Sequence, residues 1–443
     1  MEQKKLKILI IGSGGREHAV GWKVAQSHRA GQIFFAPGNG GTQNLGVNVD
    51  IKATDIKRLL EFAKKEKIDL TLALPDDPLA LGIVDEFMKQ GLRIWGPTRE
   101  AAELEWSKAF SKNFMRRHNL PTAKFEIFNN FEKAKAYAEA RKMPIVIKAS
   151  GLALGKGVII AQTREEAVEA LENMMIKKIF GASGEEVVIE EFMEGPEISI
   201  HAFSDGKSCK IFPASQDHKK IGENDTGPNT GGVGAIAPLP FVDKELFEII
   251  ENTIVAPAIK GLASDNTPFV GILYPGLMLT KDGPKLLEFN ARFGDPEAQV
   301  YMRLMETDLL DVVNASIDGD LENQEIKWRN TNKQYCACNI VLCSAGYPGN
   351  YQKGKIISGI EEAEMQPDIV VFHAGTKTEN GKLVTNGGRV LGVSAISNTL
   401  EEALKKAYKA IEKISFEGMQ YRKDIGQKAL GHSSSTGEAL SLK

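Results

Sequence analysis

Lys285-Leu-Leu-Glu288-Phe-Asn290-Ala-Arg292-Phe-Gly294-Asp295-Pro-Glu297 is the most informative stretch of the chain. Read as a strand, it places side chains at i and i+2 on one face. The Glu288 carboxylate and the Asn290 amide oxygen then point to one place, while Leu287 and Phe289 face the core. Two hard oxygens on a rigid strand suit Mg²⁺ held against nucleotide phosphates. An edge strand with a solvated polar face would present the same two residues. Arg292 and the Gly294-Asp-Pro-Glu297 turn argue against that, because a cation beside carboxylate-type ligands serves where anionic phosphates arrive.

Around this stretch the composition is ordinary. A chain of 443 residues should form roughly two to four packed units. A net charge of -3 and scattered basic residues leave no electrostatic footprint for nucleic acid, so an anionic ligand must be bound locally. No apolar run approaches the roughly eighteen residues of a membrane span. Lys4-Lys5-Leu6-Lys7 leads straight into a strand instead of a signal peptide, and a cytoplasmic protein is expected. The four cysteines are too few for a disulfide framework. Cys336, Cys338 and Cys343 lie in a stretch that reads as a buried strand, without the open spacing of a zinc knuckle.

Residues 6 to about 100 alternate apolar runs with helical stretches: Lys7-Ile-Leu-Ile-Ile11, Glu17 to Ser27, Ile33-Phe-Phe35, Ile56 to Lys65 and Leu70-Thr-Leu-Ala-Leu74. That alternation predicts a doubly wound parallel sheet. Its first turn, Gly12-Ser-Gly-Gly-Arg-Glu17, misses the dinucleotide fingerprint twice. Glu17 occupies the third glycine position, and the second strand ends in Ala36-Pro-Gly-Asn39 where a ribose-binding acid belongs. A helix N-terminus after a glycine turn still favours an anion, so a substrate phosphate is expected there.

A helical pattern with Lys108 and Lys112 at i and i+4 ends at Leu120-Pro121, and residues 122–192 read as a small α+β unit. Its strands Pro144-Ile-Val-Ile-Lys148 and Gly157-Val-Ile-Ile-Ala161 are joined by Gly151-Leu-Ala-Leu-Gly155-Lys156-Gly157. That loop is one residue short of a Walker loop and has Gly157 where the metal-binding hydroxyl belongs. Backbone N–H groups and a lysine between two strands can fold over a triphosphate as a lid. Glu190 and Glu197, seven apart on Val187 to Glu197, form a crossing where an adenine and ribose hydroxyls could be received. Gly227-Pro-Asn-Thr-Gly-Gly232 reads as a glycine-dense loop suited to close backbone contact with a small polar substrate.

Taken together, these segments resemble the ATP-grasp superfamily, and within it the phosphoribosylamine-glycine ligase family. Gly12 to Ala19, Gly96-Pro-Thr98, Ser107-Lys-Ala-Phe110, Gly151 to Gly157, Gly227 to Gly232 and Leu287 to Glu297 match its motifs in order and spacing, over the chain to about Leu430. The fold implied is α/β and α+β multi-domain. A doubly wound pre-ATP-grasp domain occupies 1–105, an ATP-grasp body 106–121 and 193–328, an inserted lid 122–192, a mixed C-terminal domain packed behind 329–426, and a tail 427–443.

The reaction implied joins glycine to 5-phosphoribosylamine with ATP, through a glycyl phosphate, in de novo purine synthesis. By the resemblance, Glu288 and Asn290 hold Mg²⁺, with Mn²⁺ the alternative. ATP is bound by Lys108, Lys148, Gly155, Lys156, Gly157, Glu190, Glu191, Phe192 and Glu197. Ribosylamine and glycine are bound by Gly14, Gly15, Arg16, Asp217, Lys219, Pro228, Asn229, Thr230, Gly231, Gly232, Arg292, Gly294 and Asp295, and the catalytic roles fall to Arg292, Lys148 and Asp217. A monomer acting on small molecules, with no nucleic-acid or membrane partner, is expected.

The chain departs from the family pattern at Leu74-Pro75-Asp76, Trp106, Ser150 and Val233-Gly-Ala-Ile-Ala-Pro238. None of these removes a metal or phosphate ligand. Leu74 and Asp76 flank the implied ribosyl phosphate pocket. A ligase for another amine, or a non-catalytic relative, are the alternative readings.

Overall fold

The computed structural model describes residues 4–151, 157–329 and 335–435. Its first sheet is five parallel strands in the order Val47–Asn48, Ala30–Pro37, Leu6–Gly12, Leu70–Ala73 and Ile94–Trp95. The central strand is apolar on both faces because both are covered. Leu9 and Ile11 enter one core with Leu59 and Ala63 of helix Ile56–Glu66; Ile8 and Ile10 enter another with Ala19 and Val20 of helix Gly15–Val24. Strand order reverses about Leu6–Gly12, so the turn after that strand opens on the crevice where such sheets take ligands.

An antiparallel sheet follows, ordered Phe125–Phe128, Val187–Glu191, Ile145–Ala149 and Val158–Ala161, with helices Phe131–Glu139 and Arg164–Leu171 against it. It has its own small core, which includes Ile147, Leu171, Met174 and Ile189. The next sheet centres on Val270–Thr280, paired with Glu197–Ser199, Ala202–Asp205 and Gly283–Asn290.

Gly283–Asn290 corrects the simple alternation. Gly276 pairs with Glu288 but Leu277 pairs with Leu286, which leaves Leu287 as an extra residue, a β-bulge. Leu286 and Phe289 therefore enter the main core, and Leu287 turns instead to Ala123, Met193 and Met278.

The last sheet runs Gln216–Asp217, Gly234–Ala237, Cys336–Ser344, Arg389–Ser397 and Ile369–His373. The hydrogen bonds between Gly234–Ala237 and Cys336–Ser344 make the C-terminal residues part of a shared sheet, where the sequence reading has them packed behind. The cysteine-bearing stretch is an interior strand, with Cys338 and Cys343 buried. Thr226–Asn229 is also not a loop: it pairs with Lys220–Gly222 as an exposed ribbon. Arg422 and Lys428 grip its tip at Asp225, which supplies order that exposed Gly and Pro do not signal. No helix among the described residues is long and apolar enough to cross a membrane.

Candidate active site

One half of the cleft gathers lysines around two carboxylates. Ser107 caps helix Lys108–Arg117 by accepting from the Phe110 N–H. Ser150 binds the same helix end: its hydroxyl accepts from the Ala109 N–H at 3.1 Å and its carbonyl from the Lys108 N–H at 2.7 Å. The residue that departs from the family pattern thus ties the helix to the strand carrying Lys148. Lys108 Nζ stands 3.5 Å from Glu288 Oε2. Lys148 Nζ donates to the carbonyl of the bulged Leu287 at 3.1 Å and lies 3.0 Å from Glu190 Oε1. Lys112, one turn beyond Lys108, lies 3.3 Å from Glu190 Oε2 and donates to Thr122 Oγ1 at 2.7 Å.

These contacts set the charges. Burial pushes the Glu288 carboxyl up, but Lys108, Lys219 and Lys148 outweigh it and bring it down to about 2. Burial likewise opposes the Glu190 carboxylate, and Lys148 and Lys112 hold it below the usual range. Burial brings the Lys112 amine down to about 8 although Glu190 pulls it up. Asn290 Oδ1 accepts from Arg292 Nη2 at 3.4 Å. An ionised carboxylate next to an amide oxygen on one strand fits a hard divalent cation.

The other nucleotide-side candidates are more dispersed. Glu191 accepts from the Lys124 N–H at 3.0 Å, Phe192 is exposed, and Glu197 Oε2 is 3.3 Å from Lys219 Nζ. Gly155 and Lys156 lie outside the described residues. Gly157 is buried, and its carbonyl accepts from the Ala149 N–H.

Arg292 joins this half to the next. Its Nη2 is 2.8 Å from Glu105 Oε1, and Glu105 Oε2 accepts from the Ala291 N–H at 2.8 Å. Arg292 and Arg16 each donate to the Phe293 carbonyl at 3.1 Å. Asp76, another departure, lies within electrostatic reach of both guanidiniums; burial raises its carboxyl, but Arg292 and Arg16 bring it below its ordinary value.

At the glycine turn the Glu17 carboxylate folds back, accepting from the Gly14 N–H at 2.6 Å and pairing with Arg16 Nε at 2.5 Å. This is a capping arrangement, and a β-carbon at Gly12, with φ +119°, would strike it. The helix end expected to offer its amides to a phosphate already has a carboxylate on Gly14.

Beyond the turn lie Asp295, Asp217 and Glu297. Asp295 accepts from Gln299 Nε2 at 2.8 Å and lies 3.2 Å from Arg389 Nη2. Gly232, with φ +105°, passes so close to Asp217 that a β-carbon there would sit 2.6 Å from Oδ1. That Oδ1 is buried without a hydrogen-bond partner among the described residues, and burial and then Glu297 raise the carboxyl well above its ordinary value. Tyr274 donates to Glu297 Oε1 at 2.6 Å. Thr230 Oγ1 donates to the Lys219 carbonyl at 2.8 Å, and the Gly294 N–H donates to His201 Nε2 at 3.1 Å.

The turn residues Gly14, Gly15 and Arg16 therefore meet Asp295 and Gln299. Pro228 and Asn229 stand on the exposed ribbon. Glu105, Lys112, Tyr347 and Arg389 were not read from the sequence as site residues. Lys112 alone has a local signal, its i+4 spacing from Lys108.

Family models match in three consecutive parts, described as the N, ATP-grasp (A) and C domains of phosphoribosylglycinamide synthetase, over residues 6–105, 106–298 and 337–428. The chain is 47% identical over 426 residues to the phosphoribosylamine–glycine ligase of Halalkalibacterium halodurans, covering 96% of this chain and 97% of that protein. Among solved structures it resembles the phosphoribosylamine–glycine ligase of Thermotoga maritima, with a TM-score of 0.83 at 34% identity, covering 95% of this chain and all of that one. The biotin carboxylase of Campylobacter jejuni shares the fold alone, with a TM-score of 0.72 at 13% identity over 97% of this chain and 95% of that one.

Proposed function

The chain belongs to the phosphoribosylglycinamide synthetase family, and on that premise we propose how its cleft works. It is an ATP-grasp ligase of purine biosynthesis that joins glycine to 5-phosphoribosylamine, giving glycinamide ribonucleotide, ADP and phosphate, and it uses ATP with a divalent metal. We assign Mg²⁺ as that metal, with Mn²⁺ able to replace it, and Glu288 and Asn290 as the residues that would hold it. When bound, it neutralises the terminal phosphates.

In this reading a glycine carboxylate oxygen attacks the γ-phosphorus and the bond to the ADP oxygen breaks, leaving glycyl phosphate. The ribosylamine nitrogen then attacks the acyl carbon, phosphate departs, and the nitrogen loses a proton. Two anions must approach each other in the first step, and Lys108, Lys148 and Arg292 offset that repulsion. Asp217, made basic by burial and Glu297, is suited once ionised to take the amine's proton. Glu190, committed to Lys112 and Lys148, places the lysine that meets the nucleotide, and Glu197 remains the carboxylate for ribose hydroxyls. Gly155, Lys156, Gly157, Glu191 and Phe192 complete the nucleotide side. The acceptor side is the Gly14 to Arg16 turn, Asp217, Lys219, residues 228–232, Gly294 and Asp295. We keep the domain limits given above, a monomeric state and a cytoplasmic location as parts of the same proposal.

The observation that carries this reading is geometric: Glu288 and Asn290 stand two residues apart on strand Gly283–Asn290, with Lys108 Nζ 3.5 Å from Glu288 Oε2 and Lys148 Nζ 3.1 Å from the adjoining Leu287 carbonyl. ADP release should require glycine, ribosylamine and a divalent ion together, and Glu288→Ala should abolish it. Turnover of the variant within a few-fold of wild type would overturn the metal assignment. A second reading, another amine as acceptor, is favoured by Asp76, whose carboxyl feels the charges of Arg292 and Arg16. It predicts faster ADP release with that amine than with ribosylamine.

A further inference from the structure

Arg389 begins strand Arg389–Ser397 in the C-terminal part of the chain, yet its guanidinium reaches into the acceptor half of the cleft. Its Nη1 donates to the Gly231 carbonyl at 2.6 Å, to the Asp295 carbonyl at 2.5 Å and, more weakly, to the Gly232 carbonyl at 3.3 Å. Its Nη2 lies 3.2 Å from Asp295 Oδ2. Gly231 is also held from its other side, where its N–H donates to the Tyr347 hydroxyl at 3.1 Å. Two residues of the C-terminal part thus fix both polar groups of one glycine.

What they fix faces the substrates. The next residue, Gly232, lies over Asp217, so a shift of this turn moves the wall against that carboxylate. Asp295 stands against the glycine turn of the first sheet: a β-carbon on Gly14 would be 3.1 Å from Asp295 Oδ2, and one on Gly15 3.5 Å from Oδ1. A planar fork that binds three carbonyls and a carboxylate at once sets geometry in a way that a point charge cannot.

We propose that Arg389, supported by Tyr347, is a positioning residue for the acceptor half: it holds the Gly231–Gly232 turn and the Asp295 carboxylate where ribosylamine and glycine are received. The C-terminal part is then a working wall of the cleft. This rests on the reading of that half given above.

The test is steady-state kinetics on the full chain, with KM measured separately for ATP, glycine and ribosylamine. A hydrogen bond to a charged group carries an effect of about ten- to a hundredfold. Arg389→Met should raise KM for ribosylamine, glycine or both by that factor, while KM for ATP stays within twofold. Arg389→Lys should fall between Met and wild type, and Tyr347→Phe should raise the same KM values several-fold. A merely structural role would move all three KM values or kcat in step with a lowered melting temperature, and that pattern would overturn the inference. So would variants whose KM values for both acceptor-side substrates stay within twofold of wild type. If Arg389→Met does not fold, Arg389→Lys and Tyr347→Phe decide by the same criteria. A wild-type protein that releases no ADP with glycine and ribosylamine would overturn the reaction and this inference together; an active wild type with insensitive variants overturns the inference alone.

Discussion

Mild acid should unfold this protein by drawing protons onto four histidines that the fold keeps neutral. Burial pulls His18 down to about 3, and His218 and His373 down to about 4; it holds His201 well below 6.5. Geometry gives the reason in three cases, since a ring nitrogen already accepts a backbone N–H: His18 Nδ1 from His373 at 2.7 Å, His218 Nε2 from Gly426 at 3.1 Å, and His201 Nε2 from Gly294 at 3.1 Å. Protonating such a nitrogen breaks the bond.

The native values lie below the unfolded one. Between about pH 6.5 and pH 4 the unfolded chain therefore binds more protons, and stability falls as pH falls. At pH 5.5 each unfolded histidine carries about 0.9 proton, so unfolding takes up roughly 3.6 protons, equivalent to about 5 kcal/mol per pH unit. Asp217 and Glu105 act in the opposite sense, because burial raises their carboxyls, and each subtracts at most one proton; Asp77, Glu103 and Glu364, raised by partial burial, subtract fractions of a proton in the same sense. The expected slope of log K for unfolding against pH is thus about 2 to 4 near pH 5.5. Urea unfolding followed by tryptophan fluorescence in steps from pH 7.5 to 5 measures it. A slope below about 1 would mean that these histidines titrate freely in the native state, and the burial argument would be wrong.

Two further outcomes follow from the lysine cluster. Lys112→Met leaves buried Glu190 with Lys148 as its remaining ion-pair partner among the described residues and should cost about 3 kcal/mol, read from the urea midpoint, with a higher KM for ATP; a change under about 1 kcal/mol would show that the pair is dispensable. Ser150→Ala removes a cap from the helix that presents Lys108. It should lower stability by about 1 kcal/mol and weaken ATP without changing KM for glycine, whereas equal effects on both substrates would refute a nucleotide-side role.

Much of this cleft was legible before the structure because its signals are local. The period of two on Gly283–Asn290 places Glu288 and Asn290 on one face, the alternation of apolar runs marks the parallel sheet, and the i+4 spacing of Lys108 and Lys112 marks their helix. The bulge at Leu287 was not legible, since no Gly or Pro marks it. It arises from the register that Gly276 and Leu277 impose across the sheet. Residues 227–229, part of the stretch that reads as a glycine-dense loop, pair as a strand for a related cause: the order comes from Arg422, about two hundred residues away, and not from the propensity of Gly227 and Pro228.

The same logic explains why the acceptor half was the harder one. Glu105 and Arg389 carry its geometry through contacts 186 and 94 residues distant in the chain, to Ala291 and Asp295 respectively. No spacing rule relates such residues. The sheet does, because Gly234–Ala237 pairs with Cys336–Ser344, and Arg389–Ser397 pairs with the latter, which brings Arg389 beside Gly231. The nucleotide half gathers Lys108, Lys112, Lys148, Glu190 and Glu288 from one helix and three strands, all of them N-terminal to strand Cys336–Ser344. The acceptor half is assembled by strand pairing across the chain. Its substrate contacts should therefore be sensitive to changes in the C-terminal part that touch no substrate, and KM for ATP should not.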